Sequence, residues 1–222
     1  LQQQGAEIYI PITNDESYVV DKTPSLKESR RIAYEEVIPS IIAMGFDPQK
    51  TRIFVDSDYP DIYNFAIHLS RKITLNKSFK VFGFEMEENQ GTLFYRACVQ
   101  VAQILLPQIK EFGGPKPTLI PVGIDQYPYI LIARDIAERE GMVPPSGLFL
   151  KFLWGLDGKG KMSKSRAGSA LSLTELEEKA AKMIKTSYTG GSPFTNFQRQ
   201  HGGTPEICPI YTLRTYHTEP DN

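Results

Sequence analysis

The chain has 222 residues, 41% hydrophobic and 23% charged, with 25 Lys and Arg against 26 Asp and Glu for a formal net charge of −1. These fractions exclude disordered, collagen-like and fibrous chains, and the near-neutral balance means that any nucleic-acid contact uses a local basic patch. Cys98 and Cys208 lack metal-type spacing and cannot build a disulfide framework, and no apolar run reaches the roughly 18 residues of a membrane span, so a cytoplasmic setting is expected.

The N-terminus, Leu1-Gln2-Gln3-Gln4-Gly5, has no initiator methionine and no signal-peptide pattern, and it reads as the middle of a longer chain. In chain order, Glu7–Thr13 is β-rich and short enough for a buried strand. Thr23-Pro24 looks like a helix cap and first-turn proline, opening a helix that stops at Gly45 and is expected to kink or break at Pro39. Arg52–Val55 is the next strand candidate, Ile62–Leu75 is helical, and Val81–Phe84 is a short extended or turn segment. Leu93–Ile109 is the most apolar helix, with Ala97, Val101, Ile104 and Leu105 on one side. Thr118–Val122 is a strand ending at Gly123, and Asp125 is placed to cap the helix running to Gly141. A last helix is expected from Thr174 to about Lys185, its first turns acidic. Strands separated by helices of this length predict an α/β fold with a Rossmann-like parallel sheet. Ligands of such sheets bind at the carboxyl ends of the strands. Two polar clusters fall there, Thr13–Glu16 and Gly123–Gln126.

The most informative stretch is Gly158-Lys159-Gly160-Lys161-Met162-Ser163-Lys164-Ser165. Lys151, Lys159, Lys161, Lys164 and Arg166 set five basic residues against one acid, Asp157, in sixteen positions, a density that suits a ligand with several phosphates. The stretch lacks the GxxxxGK[ST] form of a P-loop, which argues against a Walker-type NTPase. Asp56, Asp58 and Asp61 read as turn residues, because their spacing lacks the glycine and terminal glutamate of an EF-hand loop, and no metal site is expected. Trp154, Phe149 and Phe152 read as core.

Lys161-Met162-Ser163-Lys164-Ser165 matches letter for letter the KMSKS signature of class I aminoacyl-tRNA synthetases. The resemblance implies a loop that closes over ATP, with Lys161 and Lys164 as electrostatic catalysts. Those lysines stabilise charge on the leaving pyrophosphate while an amino-acid carboxylate attacks the α-phosphate. Gly160, Met162, Ser163, Ser165, Gly123 and Asp125 are then expected to bind ATP, which acts together with Mg2+.

The segment Pro121–Tyr129, with Arg134-Asp135 downstream, resembles tryptophanyl-tRNA synthetases of the archaeal and eukaryotic branch. So do Ile10–Glu16, Phe54–Tyr59, Phe82-Gly83-Phe84 and Thr189-Gly190-Gly191. Glu16, Gln108 and Gln126 match the positions that hold the amino acid's backbone, and a carboxylate with two amides supplies what an α-ammonium and α-carboxylate need. The resemblance thus implies activation of tryptophan with ATP to tryptophanyl-adenylate and pyrophosphate, followed by transfer to tRNA(Trp). It further implies a homodimer, with the Leu93–Ile109 helix as a candidate interface element, and no membrane association.

Two departures accompany it. Pro11 stands where eukaryotic members carry a glutamine near the indole, so if a hydrogen bond reads the indole N–H its acceptor lies elsewhere, the part upstream of Leu1 included. His68, His201 and His217 do not form the His-x-Gly-His motif of class I enzymes, which is expected before Leu1. The chain is therefore read as a fragment: residues 1–165 a partial catalytic domain ending with the lysine–serine loop, and residues 166–222 the start of a helical tRNA-binding domain. A tyrosyl enzyme and a non-catalytic nucleotide- or RNA-binding descendant of a synthetase are the alternatives.

Overall fold

The computed structural model describes residues 1–192 and 194–217 and contains two compact units, Leu1–Leu150 and Lys151–Asn222. In the first, two strand–helix stretches follow one another. Strand β1 (Ile8–Ile12) leads into α1 (Asn14–Val19), α2 (Leu26–Ile32) and α3 (Ile38–Ala43), and β2 (Thr51–Val55) leads into α4 (Asp61–Ser70) and α5 (Leu75–Phe82). After α6 (Gln90–Phe94) and α7 (Gln100–Leu105) come β3 (Leu119–Gly123), α8 (Tyr127–Arg139) and β4 (Ser146–Leu150). The second unit carries α9 (Glu177–Lys185), α10 (Thr195–His201) and α11 (Pro209–His217).

Both strand pairs are parallel. Ile10 lies opposite Ile53 and Ile12 opposite Val55 in β1–β2, and Pro121 lies opposite Leu148 in β3–β4. Each pair forms a two-stranded sheet among the described residues. Strand alternation sorts the β1–β2 side chains onto two faces. Ile10, Ile12, Ile53 and Val55 pack with Ala33, Val37, Ile38 and Ile41 on one side, while Tyr9 and Phe54 pack into the larger core on the other. That core is built from Ile62, Ala66 and Leu69 of α4, Val101, Ala102 and Leu105 of α7, and Ile132, Ala133, Ile136 and Ala137 of α8. The alanines let the three helices approach closely. Each fully buried Leu or Ile adds about 1.5–3 kcal/mol.

The α2–α3 helix begins later than its sequence implies: Ser25, not Thr23, is the cap, its Oγ accepting from Glu28 N–H at 3.1 Å. Pro39 does not break it, because a π turn over Ala33–Val37 precedes it and loosens the hydrogen-bond ladder where the proline lacks its N–H. Val81 and Phe82 are helical, not extended; they finish α5, and Gly83 at φ 66° ends it. The Leu93–Ile109 stretch is helical with a π turn at Tyr95–Val99. Its apolar face lies inside the core, with Ala97, Val101 and Leu105 buried, so that face is not available to a second copy. Trp154 is 50% and Phe152 42% exposed, so the expectation that they belong to the core is overturned.

Candidate active site

The carboxyl ends of β1 and β2 deliver three acids to one place. Asp15 and Glu16 open α1, and Asp56 follows β2 in a single 3-10 turn. Asp15 is buried; its Oδ2 accepts from the Tyr63 hydroxyl at 2.7 Å and its Oδ1 from Glu16 N–H at 3.0 Å. Asp56 is 1% exposed and accepts from the Tyr95 hydroxyl at 3.1 Å and from Gln103 Nε2. Burial, reinforced by the charge of Asp15, pushes the Asp56 carboxyl up to about 7. Burial also raises Asp15 and Glu16, and for Glu16 the nearby Lys22 and Arg96 pull the other way. Asp56 therefore opens a turn, as its spacing suggests, and is at the same time a buried member of this group.

Glu16 is half-buried, and the Arg96 guanidinium lies within electrostatic reach of it. Tyr129, pushed up to about 12 chiefly by burial, feels Arg96, Glu16 and Asp125 together. That shared field links the end of β1 to the turn after β3, where Ile124–Gln126 form a single 3-10 turn. Gly123 ends β3, Gln126 is half-buried, and Asp125 is exposed. Asp125 does not cap α8: the cap position belongs to Gln126, and no side chain closes it. The tyrosine itself stacks on Phe82 at 4.5 Å.

Gln108 is not part of this group. It is 1% exposed, and its amide is consumed by backbone: Nε2 donates to Val143 O at 2.8 Å, while Oε1 accepts from Val143 N–H at 2.8 Å and Lys116 N–H at 3.4 Å. It is a clamp between the end of the α7 region and the start of the β4 approach. An amide that the sequence does not single out, Gln100, stands differently. Its Oε1 is buried without a hydrogen-bond partner among the described residues. A buried, unpaired acceptor costs on the order of 1–3 kcal/mol, a cost that a bound donor would remove. Gln100 follows Arg96 by one turn and precedes Gln103 by another, so Arg96, Gln100 and Gln103 share a helix side.

Within the second unit the lysine–serine loop is a short, pinned hairpin. Trp154 and Lys161 form an antiparallel bridge, Met162 N–H donates to Leu153 O at 2.7 Å, and Gly155 N–H donates to Gly160 O at 2.9 Å. The turn needs left-handed backbone at Gly158 (φ 70°) and Gly160 (φ 75°), which explains the glycines. Arg166 fastens the hairpin from behind. Its guanidinium donates to Asp157 Oδ2 at 2.6 Å, Lys161 O at 2.8 Å and Ser169 Oγ at 2.9 Å. The buried Ser169 Oγ also accepts from Ser163 N–H at 3.1 Å. Thus Arg166 organises the loop and is occupied, whereas Lys161 and Lys164 are exposed and form no ion pair with a described carboxylate. Lys161 Nζ rests 4.8 Å above the Phe152 ring. Ser163 and Ser165 join hydroxyls at 2.9 Å, and Met162 is half-buried beside them.

The described residues hold no group of three or more His, Cys, Asp or Glu arranged for a metal ion. Nor is any described helix long and apolar enough to cross a membrane.

Residues 1–222 match the model of the family described as class I tRNA synthetases for W and Y. A tryptophan–tRNA ligase of Pyrobaculum calidifontis is 39% identical over 208 residues, covering 93% of this chain and 55% of the relative. One from Methanocaldococcus jannaschii is 38% identical over 221 residues, covering 97% and 59%. The crystal structure of tryptophanyl-tRNA synthetase from Aeropyrum pernix K1 superposes with a TM-score of 0.88 at 32% identity, covering 99% of this chain and 60% of that one. A tyrosyl-tRNA synthetase from Archaeoglobus fulgidus, with a TM-score of 0.74 and 24% identity, shares the fold. The chain spans 55–59% of the length of these curated relatives. With a parallel α/β core, an acid–amide group at the strand ends and an exposed lysine–serine hairpin, the chain belongs to the class I tRNA synthetase family of the tryptophan and tyrosine type.

Proposed function

We propose that this chain carries the amino-acid site and the lysine–serine loop of a tryptophan–tRNA ligase, which activates tryptophan with ATP and transfers it to tRNA(Trp). The observation that carries the reading is the exposed hairpin whose two lysines pair with no carboxylate among the described residues, in a chain 36–39% identical to archaeal tryptophan–tRNA ligases.

The tryptophan carboxylate attacks the α-phosphorus of ATP. The bond to the β-phosphate bridging oxygen breaks, and pyrophosphate leaves with the negative charge. Lys161 and Lys164 lie against that charge, Ser163 and Ser165 donate hydroxyls to phosphate oxygens, and the Gly160 and Met162 backbone approaches the nucleotide. Lys161 leaves the Phe152 ring to do so. Gly123 and Asp125, at the end of β3, take the nucleoside side of ATP. Mg2+ has no protein cage among the described residues and enters as the magnesium complex of ATP, as part of the substrate. Glu16, Gln126 and Gln100 hold the α-ammonium and α-carboxylate; Gln100 takes the role that the sequence assigned to Gln108. The enzyme acts in the cytoplasm as a homodimer, and the helices after Arg166 face tRNA.

Equilibrium binding tests this reading. Tryptophan binds more tightly than tyrosine, and Glu16→Gln weakens it, while exchanging Lys161 and Lys164 for Ala weakens magnesium–ATP and leaves tryptophan unchanged. Tighter binding of tyrosine, or lysine variants that bind magnesium–ATP as the wild type does, overturns it.

A further inference from the structure

The site described so far leaves one question of recognition open: which group reads the polar edge of the substrate's ring. An aromatic side chain with a ring N–H needs an acceptor inside its otherwise apolar pocket, because a buried unpaired donor is costly. Pro11 offers no side-chain acceptor. By strand alternation Pro11 shares the face of β1 with Tyr9, and Asp56 continues the face of β2 that Phe54 presents to the α4–α7 core. Of the two amides on α7, Gln103 is the one bonded to Asp56 on this face. Nε2 donates to the Asp56 carboxylate and, at 2.9 Å, to the Tyr95 hydroxyl, and Tyr95 in turn donates to Asp56. Because Nε2 donates to both groups, the amide is held with its nitrogen toward Asp56 and its oxygen turned away. Among the described residues no group donates to Gln103 Oε1. Unlike Gln100 Oε1, this oxygen is not sealed off from solvent, and the residue is half-buried.

We propose that Gln103 is the specificity-determining residue that accepts the hydrogen bond of the substrate's ring N–H, and that Asp56 and Tyr95 are positioning residues that fix its amide. The proposal rests on the reading of tryptophan as substrate and deepens it. Along α7, Gln100 and Gln103 lie about 4.5 Å apart, three residues at helical rise. This places one amide for the amino-acid backbone and a second for the ring on the same side of one helix. A neutral acceptor suits a neutral N–H donor. A free carboxylate there would bring a charge into the pocket, and the structure instead keeps its carboxylate, Asp56, one step behind the amide and bonded to it.

The test compares tryptophan with 3-(3-benzothienyl)alanine, in which sulfur replaces the ring N–H at nearly constant shape, by calorimetry on the wild type and on Gln103→Met. Met keeps the volume of the side chain and removes the acceptor. The wild type binds tryptophan about tenfold more tightly than the analogue, as one satisfied hydrogen bond implies. Gln103→Met binds the analogue within threefold of the wild type and no longer prefers tryptophan. Because the analogue needs only shape, its retained binding separates loss of the acceptor from loss of the fold. Wild type that binds tryptophan and the analogue equally overturns the proposal while leaving the substrate reading intact. So does Gln103→Met that keeps the preference. Wild type that binds neither overturns both.

Discussion

Replacing Gln108 by Leu separates a backbone clamp from a substrate ligand. The wild-type amide holds Val143 by both its N–H and its carbonyl at 2.8 Å and reaches Lys116 N–H at 3.4 Å, from a side chain that is 1% exposed. Leucine fills the space and makes none of these bonds. Two well-formed hydrogen bonds are lost at about 1–1.5 kcal/mol each, the long third adds little, and part of Val143 regains water. The loss of stability is then about 2–3 kcal/mol. At roughly 2–4 °C per kcal/mol for a chain of this size, the melting temperature falls by about 4–12 °C. Thermal unfolding followed by circular dichroism measures this, and calorimetry at a temperature where both proteins are folded measures tryptophan affinity, which stays within about threefold of wild type. A variant that melts with the wild type but loses tryptophan binding would falsify the clamp and return Gln108 to the site.

Other expectations follow from the same geometry. Lys161→Ala lowers the rate of amino-acid activation by roughly 2–4 kcal/mol in transition-state stabilisation, about 30- to 1,000-fold, with tryptophan affinity unchanged; steady-state kinetics checks the split. Arg166→Gln frees the hairpin that the guanidinium pins, so trypsin cuts after Lys159, Lys161 and Lys164 several-fold faster than in wild type, and unchanged cleavage there counts against the pinning. Asp56 gives a signed pH dependence. Its folded value of about 7 lies above the ordinary carboxylate value of 3.8, so the folded state binds the extra proton between those limits. Its contribution to stability therefore falls as pH rises from about 4 to about 7, by at most about 1.4 kcal/mol per unit, and is level above and below. Asp56→Asn removes most of that slope in denaturant titrations; an identical slope in the variant contradicts a raised Asp56.

Much of the first unit was readable because local patterns and tertiary packing agree there. The apolar runs at β1, β2 and β3 fold as strands, and Gly45 and Gly141 stop their helices in left-handed conformations. Strand β4 was missed, because Gly147 interrupts its pattern. The short α1 carries Asn14, Asp15 and Glu16, which propensity assigns to caps and turns. Amide chemistry alone does not separate Gln100 from Gln108. Only the packing of the helix region shows that one is consumed by the backbone of Val143 while the other keeps an unpaired oxygen. For Asp56 the turn was legible but the burial was not: it shows only once Gln103 of α7 and Tyr95 of the preceding π turn cover the carboxylate. Arg166, counted by sequence among phosphate-binding cations, is occupied by Asp157.

The most direct test of the central claim is amino-acid-dependent exchange of pyrophosphate into ATP, run with tryptophan and tyrosine in parallel on the wild-type sequence and on Lys161→Ala. The account predicts exchange with tryptophan, none above background with tyrosine, and a fall of at least 30-fold in the variant. Exchange driven by tyrosine, or exchange that Lys161→Ala leaves unchanged, contradicts it.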